Sequence, residues 1–228
     1  MSFLAEPPAA PSSVRLPLPG TELHLRPEKA VWWPEQRTLF IADAHFGKAA
    51  TFRAHGLPVP EGTTQATLGA LTALIEDTAA KHIVFLGDWL HAREGQLPQV
   101  MAALAAWRAQ HAAVALTLVR GNHDQHAGDP PPDFGMAVVD EPWRIGPLAA
   151  CHHPQQVAGA TVLAGHWHPA VHLAGRGRDR LRLPAFWHAP GLLVLPAFGA
   201  FTGTHAPPPT PGARLYAVGG QRVWPLPG

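Results

Sequence analysis

Five short stretches of the chain bring carboxylate, imidazole and amide side chains together. They are Asp43-Ala44-His45, Gly87-Asp88, Gly121-Asn122-His123-Asp124, His152-His153 and Gly165-His166-Trp167-His168. Each follows an apolar run, and taken singly each has an ordinary reading as a turn, a strand end or a surface loop. Taken in order they supply seven candidate metal ligands, too many for one ion and suited to two that share a carboxylate. Nitrogen and oxygen donors in this mixture favour Mn²⁺, Fe²⁺ or Zn²⁺ over Ca²⁺ or Mg²⁺, which prefer all-oxygen cages. Two such ions about 3.5–4 Å apart acidify a shared water and clamp a phosphoryl oxygen during in-line attack. A structural zinc site competes poorly, because Cys151 is the single cysteine and no Cys-x-x-Cys pair exists.

The elements that must position these side chains are legible from hydrophobic pattern. Glu22 to Arg26 alternates, and Ala30–Trp33 and Thr38–Ala42 flank the turn signal Pro34-Glu35-Gln36, which predicts a hairpin. Leu68, Leu71, Leu74 and Ile75 set a helical spacing within Thr63–Lys81, with Thr63 or Thr64 as N-cap. Ile83–Leu86 reads as a buried strand, Leu97 to Trp107 as a second amphipathic helix, and Val114–Val119 as a strand. That rhythm predicts a parallel βαβ half with three polar tips on one carboxyl edge. Gly121 is expected to let the last of them turn sharply. Beyond Pro132 come short strands from Met136–Val139 to Arg222–Trp224 and no comparable helix, so a second, mostly antiparallel sheet is expected.

Composition sets bounds around this. The chain has 228 residues, 46% hydrophobic and 14% charged, enough for one sizeable core. Residues 1–20, rich in proline and without periodicity, read as a loose leader, and 21–228 as a single domain. No run approaches the roughly 20 apolar residues of a membrane span, and the N-terminus lacks the pattern of a secretory signal. The lone cysteine fits a reducing compartment, so a cytoplasmic protein is expected. The net charge of +1 gives no global attraction to polyanions, and any nucleic-acid contact must be local.

The order of the motifs, from Leu39 to His168, resembles the calcineurin-like metallophosphoesterase superfamily. That resemblance implies an α/β fold, a four-layer αββα sandwich, and a position-by-position ligand set. Asp43, His45 and His168 would hold one ion; Asn122, His152 and His166 would hold the other, with Asp88 bridging. His152 is preferred to His153 because it directly follows its strand. His123 would face the substrate and protonate the leaving oxygen. Many members carry Gly-Asp-x-x-Asp, whose second Asp orients this histidine; here that position is His91. A neutral imidazole cannot raise the pKa of His123 as a carboxylate would, so His91 is expected to position it only.

A narrower resemblance rests on Ile41 to Arg53, Gly56-Leu-Pro-Val-Pro60, Gly87-Asp-Trp-Leu-His-Ala-Arg93 and Leu195-Pro-Ala-Phe-Gly-Ala-Phe-Thr-Gly203. These stretches look like the DNA-ligase-associated, PdeM-type metallophosphoesterases. The resemblance implies a Mn²⁺-dependent phosphodiesterase with single-strand DNA endonuclease activity in DNA repair. Its partners would be an ATP-dependent ligase, a helicase and an exonuclease-like protein. Lys48 and Arg53 are candidate phosphate contacts, with a helix-start role for Lys48 equally open. Arg176, Arg178, Arg180 and Arg182 read as a solvated hairpin first and a backbone contact second. Trp89 and Trp167 flank ligands and are candidates for base stacking. Two other functions stand beside this one. One is a phosphomonoesterase or small-nucleotide phosphodiesterase, and the other a non-catalytic scaffold for repair enzymes.

Overall fold

A computed structural model describes residues 12–60, 62–175 and 180–227. Its first sheet takes seven strands in chain order: β1 (Val14–Leu18), β2 (Thr21–Leu25), β3 (Val31–Trp33), β4 (Thr38–Ile41), β5 (His82–Leu86), β6 (Ala115–Val119) and β7 (Met136–Val139). The first four pair antiparallel, including the expected β3–β4 hairpin, and β4 to β7 run parallel. The parallel crossovers carry α1 (Lys48–Ala54), α2 (Thr63–Thr78) and α3 (Pro98–Gln110); α4 (Asn122–Ala127) follows β6. Parallel strands need such crossovers, and these place the carboxyl ends of β4, β5 and β6 side by side.

The second sheet contains β8 (Trp143–Ile145), β9 (Leu148–Ala150), β10 (Thr161–Ala164), β11 (Ala170–Ala174), β12 (Arg180–Ala189), β13 (Leu192–Val194), β14 (Arg214–Gly219) and β15 (Arg222–Pro225). It is mostly antiparallel, as expected. β9, β10 and β13 are mutually parallel at its centre. The carboxyl ends of β9 and β10 therefore emerge together, carrying His152 and His166.

The two sheets face each other across one core. Phe40, Val84, Leu86 and Val119 from the first pack with Leu148, Leu163, Phe186 and Leu193 from the second. Alternate residues of the same parallel strands, Leu39, Ile41, Ile83 and Phe85, point the other way onto α2 and α3 through Leu71, Leu74 and Leu104. Period-two alternation thus gives the first sheet two buried faces.

Several expectations are corrected. The expected α/β sandwich is present, and among the described residues no helix covers the outer face of its second sheet. The outer face of the second sheet, with Cys151, Val162, Trp187 and Val194, is covered by Val157, Ala160, Trp167, Ala213 and Leu215. The β8–β9, β11–β12, β12–β13 and β14–β15 connections are antiparallel and need no crossover helix, and the parallel β9–β10 connection is made by a loop. The stretch expected as a loose leader contains β1, whose Leu16 is buried against the inter-sheet core; residues 1–11 lie outside the described residues. Met136–Val139 belongs to the first sheet, parallel to β6. The N-cap of α2 is Gly62, one residue before the expected threonines.

Candidate metal centre

The seven candidate ligands converge where the carboxyl edges of the two sheets meet. Five of them, Asp43, His45, Asp88, His166 and His168, have φ between 45° and 68°. Left-handed backbone at non-glycine residues costs about 1–3 kcal/mol each and survives only where the surroundings over-determine it.

Asp88 stands between two groups of ligands. Its Oδ1 lies 3.5 Å from His152 Nε2 and its Oδ2 lies 3.7 Å from His45 Nε2. On the Oδ1 side, His152 Nε2 is 2.8 Å from Asn122 Oδ1 and 3.1 Å from His166 Nδ1. His152 Nδ1 donates to Leu86 O at 3.0 Å, so its Nε2 carries a lone pair. A lone pair facing an amide oxygen, a carboxylate oxygen and a second imidazole is reconciled by a cation. On the Oδ2 side, His168 Nδ1 donates to Gly203 O at 3.0 Å, which aims its bare Nε2 at Asp43 Oδ1, 3.3 Å away. Both ring nitrogens of His45 and Nε2 of His168 are buried without a hydrogen-bond partner. Burial, then the charge of Lys48, pushes the His45 pKa far down and keeps the ring neutral, the form that ligates. Two groups, Asp43 with His45 and His168 and His152 with His153 and His166, could each hold a metal ion, and a third, Asp43 with Asp88 and His152, lies between them.

The loops are braced by carboxylates that do not point at the ligands. Asp124, 1% exposed, accepts from the N–H groups of Asp88 (2.8 Å), Trp89 (3.0 Å) and Gly121 (2.9 Å). Burial pushes its pKa up to about 6 against the pull of those bonds. Gly121 is extended, φ −95°, a conformation open to any residue, so the sharp turn expected there does not require glycine. It is there for space: a Cβ would come within 2.6 Å of Asp88 N and Oδ1.

Glu141 plays the corresponding part for the other loop and carried no signal in the sequence. Its Oε2 accepts from the N–H of His152 (2.7 Å) and of His153 (2.8 Å), and its Oε1 lies 2.6 Å from His153 Nδ1. His152, fully buried, faces Asn122 and Asp88, whereas His153 is committed to Glu141.

His123 sits beside this array with Nε2 3.9 Å from Asp88 Oδ2. Its Nδ1 donates to the backbone oxygen of His91 at 2.8 Å, and the two rings stack at 5.1 Å. His91 thus orients His123 through its carbonyl, a contact that no residue letter announces. Lys48 opens α1, its ammonium 5.8 Å from the centre of the Phe52 ring. Burial lowers its pKa, while the charges of Asp88 and Asp43 oppose the shift. Arg53 is not directed at the ligands; its guanidinium donates to Pro60 O at 2.9 Å and holds the loop after α1. Trp89 is excluded from stacking, being 2% exposed with Phe46 and Phe134 against its edges.

The Phe198 segment, unexplained by residue chemistry alone, has a structural account. Phe198 N donates to Ala42 O and Gly199 N to Asp43 O, and a Cβ on Gly199 would meet Ala44 O at 2.3 Å. Half-buried Lys29 donates to Phe198 O at 2.6 Å, with desolvation lowering its pKa to about 8. The segment backs the Asp43 turn.

Residues 36–151 match the family described as calcineurin-like phosphoesterase. The chain belongs to that family. It is a metal-dependent phosphoesterase, a hydrolase acting on ester bonds. The crystal structure of Pseudomonas putida nuclease MPE is 41% identical, with 94% of this chain and all of that one covered and a TM-score of 0.83. The E. coli phosphoesterase YfcE is 16% identical over 79% of this chain and 86% of that one, with a TM-score of 0.38. Aquifex aeolicus AQ665 is 16% identical over 62% and 82%, with a TM-score of 0.37. These two are too distant to inform the site. A search of curated proteins found no match. No helix among the described residues is long and apolar enough to cross a membrane.

Proposed function

We propose that this phosphoesterase is a dinuclear phosphodiesterase of the DNA-ligase-associated, PdeM type, a Mn²⁺-dependent endonuclease on single-stranded DNA. The observation that carries the reading is the 41% identity, over 94% of the chain, to a protein described as a nuclease. Asp43, His45 and His168 would hold one ion and Asn122, His152 and His166 the other, with Asp88 within reach of both groups. When bound, the ions supply Lewis-acid charge for a phosphoryl oxygen and lower the pKa of a water. The chain's own residues do the rest. His45 and His152, kept neutral by burial, offer lone pairs, and Asp124 and Glu141 fix the loops that carry Asp88 and His152. The bond from His123 Nδ1 to His91 O leaves Nε2 as the atom that hands a proton to the leaving oxygen. Lys48, whose charge acts on Asp43 and Asp88, meets substrate phosphate in this reading. The setting is cytoplasmic DNA repair beside an ATP-dependent ligase, a helicase and an exonuclease-like protein.

Cleavage of circular single-stranded DNA with Mn²⁺, abolished by chelator, tests the reading, since a closed circle has no end to digest. Faster hydrolysis of p-nitrophenyl phosphate than of its bis ester would favour a phosphomonoesterase instead. No metal-dependent turnover on any of these would leave the scaffold. Within the proposed mechanism, His123→Ala should lose about 10²–10⁴-fold in kcat. His91→Ala keeps the carbonyl that orients His123 and should lose under about 10-fold; an equal loss would mean that the His91 ring itself takes part.

A further inference from the structure

Resting on the nuclease reading, we infer that the groove beside His166 is a subsite for a nucleobase of the substrate, with Trp167 as its stacking platform. His166 and His168 both turn toward Asp43 and its neighbours, so the residue between them is set outward. The Trp167 ring meets that of buried Trp187 in an edge-to-face arrangement at a centroid distance of 5.4 Å and an angle of 61°. The ring also lines an open groove of about 460 Å³ together with His166, His205, Ala206 and Pro208. The opposite wall is fixed by backbone: His205 N donates to His168 O at 3.1 Å and Ala170 N to His205 O at 3.0 Å.

Two features choose the occupant. His166 belongs both to the ligand array and to the groove, so whatever fills the groove lies next to the phosphate under attack. Among the described residues the lining has aromatic, imidazole, alanine and proline surfaces and no carboxylate, ammonium or guanidinium. That suits a flat, uncharged ring with polar edges rather than a neighbouring phosphate. Stacking on an indole tolerates every base, so the subsite confers a requirement for a base without a preference among bases.

Cleavage rates on a single-stranded oligonucleotide and on its counterpart of equal length built from abasic residues test this. The wild type should prefer the base-bearing strand. Trp167→Ala should lower kcat/KM on that strand about 5- to 150-fold, with a much smaller loss on the abasic strand. Trp167→Phe, which keeps a ring, should recover most of the difference. Ala206→Leu narrows the groove from its exposed wall and should give the same selective loss should the tryptophan variant fail to fold. Equal losses on both strands would overturn the inference and leave Trp167 a positioning residue for its two histidine neighbours. A wild type that cuts both strands equally would also overturn it, while leaving the nuclease reading intact. A wild type that cuts neither strand yet hydrolyses small phosphate esters would overturn both.

Discussion

Asp124 and Glu141 perform the same task in different surroundings. Each is a carboxylate that accepts backbone N–H groups from a loop bearing a ligand. Asp124 lies at the base of the first-sheet edge, 1% exposed, and burial pushes its pKa up to about 6. Glu141 lies at the rim of the second sheet. There the effect of burial, which alone would raise its pKa, is outweighed by bonds from the His153 ring and two N–H groups, and the pKa falls. A buried brace is strong because its partners have nowhere else to turn, whereas a rim brace competes with water.

The largest separation between the two should come from truncation. Asp124→Ala strands three buried donors, and at about 1–3 kcal/mol for each it should cost at least about 3 kcal/mol of stability. The urea midpoint of chelator-treated protein measures this, and a cost below that of Glu141→Ala would remove the distinction. The second separation is in pH. The folded protein holds the Asp124 proton up to about 6, while the unfolded chain loses it near 3.8. The contribution of Asp124 is therefore most favourable below about 4 and declines by up to about 3 kcal/mol as pH rises to about 6. Glu141 has the opposite sign: its contribution is present above the ordinary 4.5 and is lost as pH falls through its lowered value. Denaturation of the chelated wild type alongside Asp124→Asn and Glu141→Gln, across that range, should show the two slopes diverging. Third, Glu141→Ala should cost only about 1 kcal/mol of stability but weaken metal retention about 10- to 100-fold, the usual effect of freeing a ligand from its support. Metal content after dialysis reads this directly. The smallest effect belongs to Glu141→Gln, which keeps an acceptor for the His152 N–H and should retain most of the metal.

The same contrast explains what was legible in the sequence. The tips of β4, β5 and β6 could be read because an apolar run followed at once by ligand types fixes both a strand and what lies at its end. The mostly antiparallel character of the second sheet was legible, but which of its strands pair parallel could not be read from runs three or four residues long, as with β9, β10 and β13. Glu141 was missed because it lies eleven residues before His152 in sequence and acts on backbone. The His91 carbonyl was missed because peptide groups carry no letter. Arg53 was misplaced for the converse reason: a guanidinium near a motif looks like a phosphate contact until a carbonyl such as that of Pro60 claims it. Gly121 was assigned to its turn when its value lies in the room it leaves for Asp88.

The left-handed backbone at Asp43, His45, Asp88, His166 and His168 has a consequence for how such a chain drifts. At each of these positions the local geometry would be more comfortable with glycine. Random substitution followed by selection for foldedness alone would therefore dismantle this centre first and gain stability in doing so. A protein held only as a docking platform should show glycines at these five positions. This chain instead keeps a candidate ligand at every one of them, the pattern of a molecule still selected for what it does to a substrate.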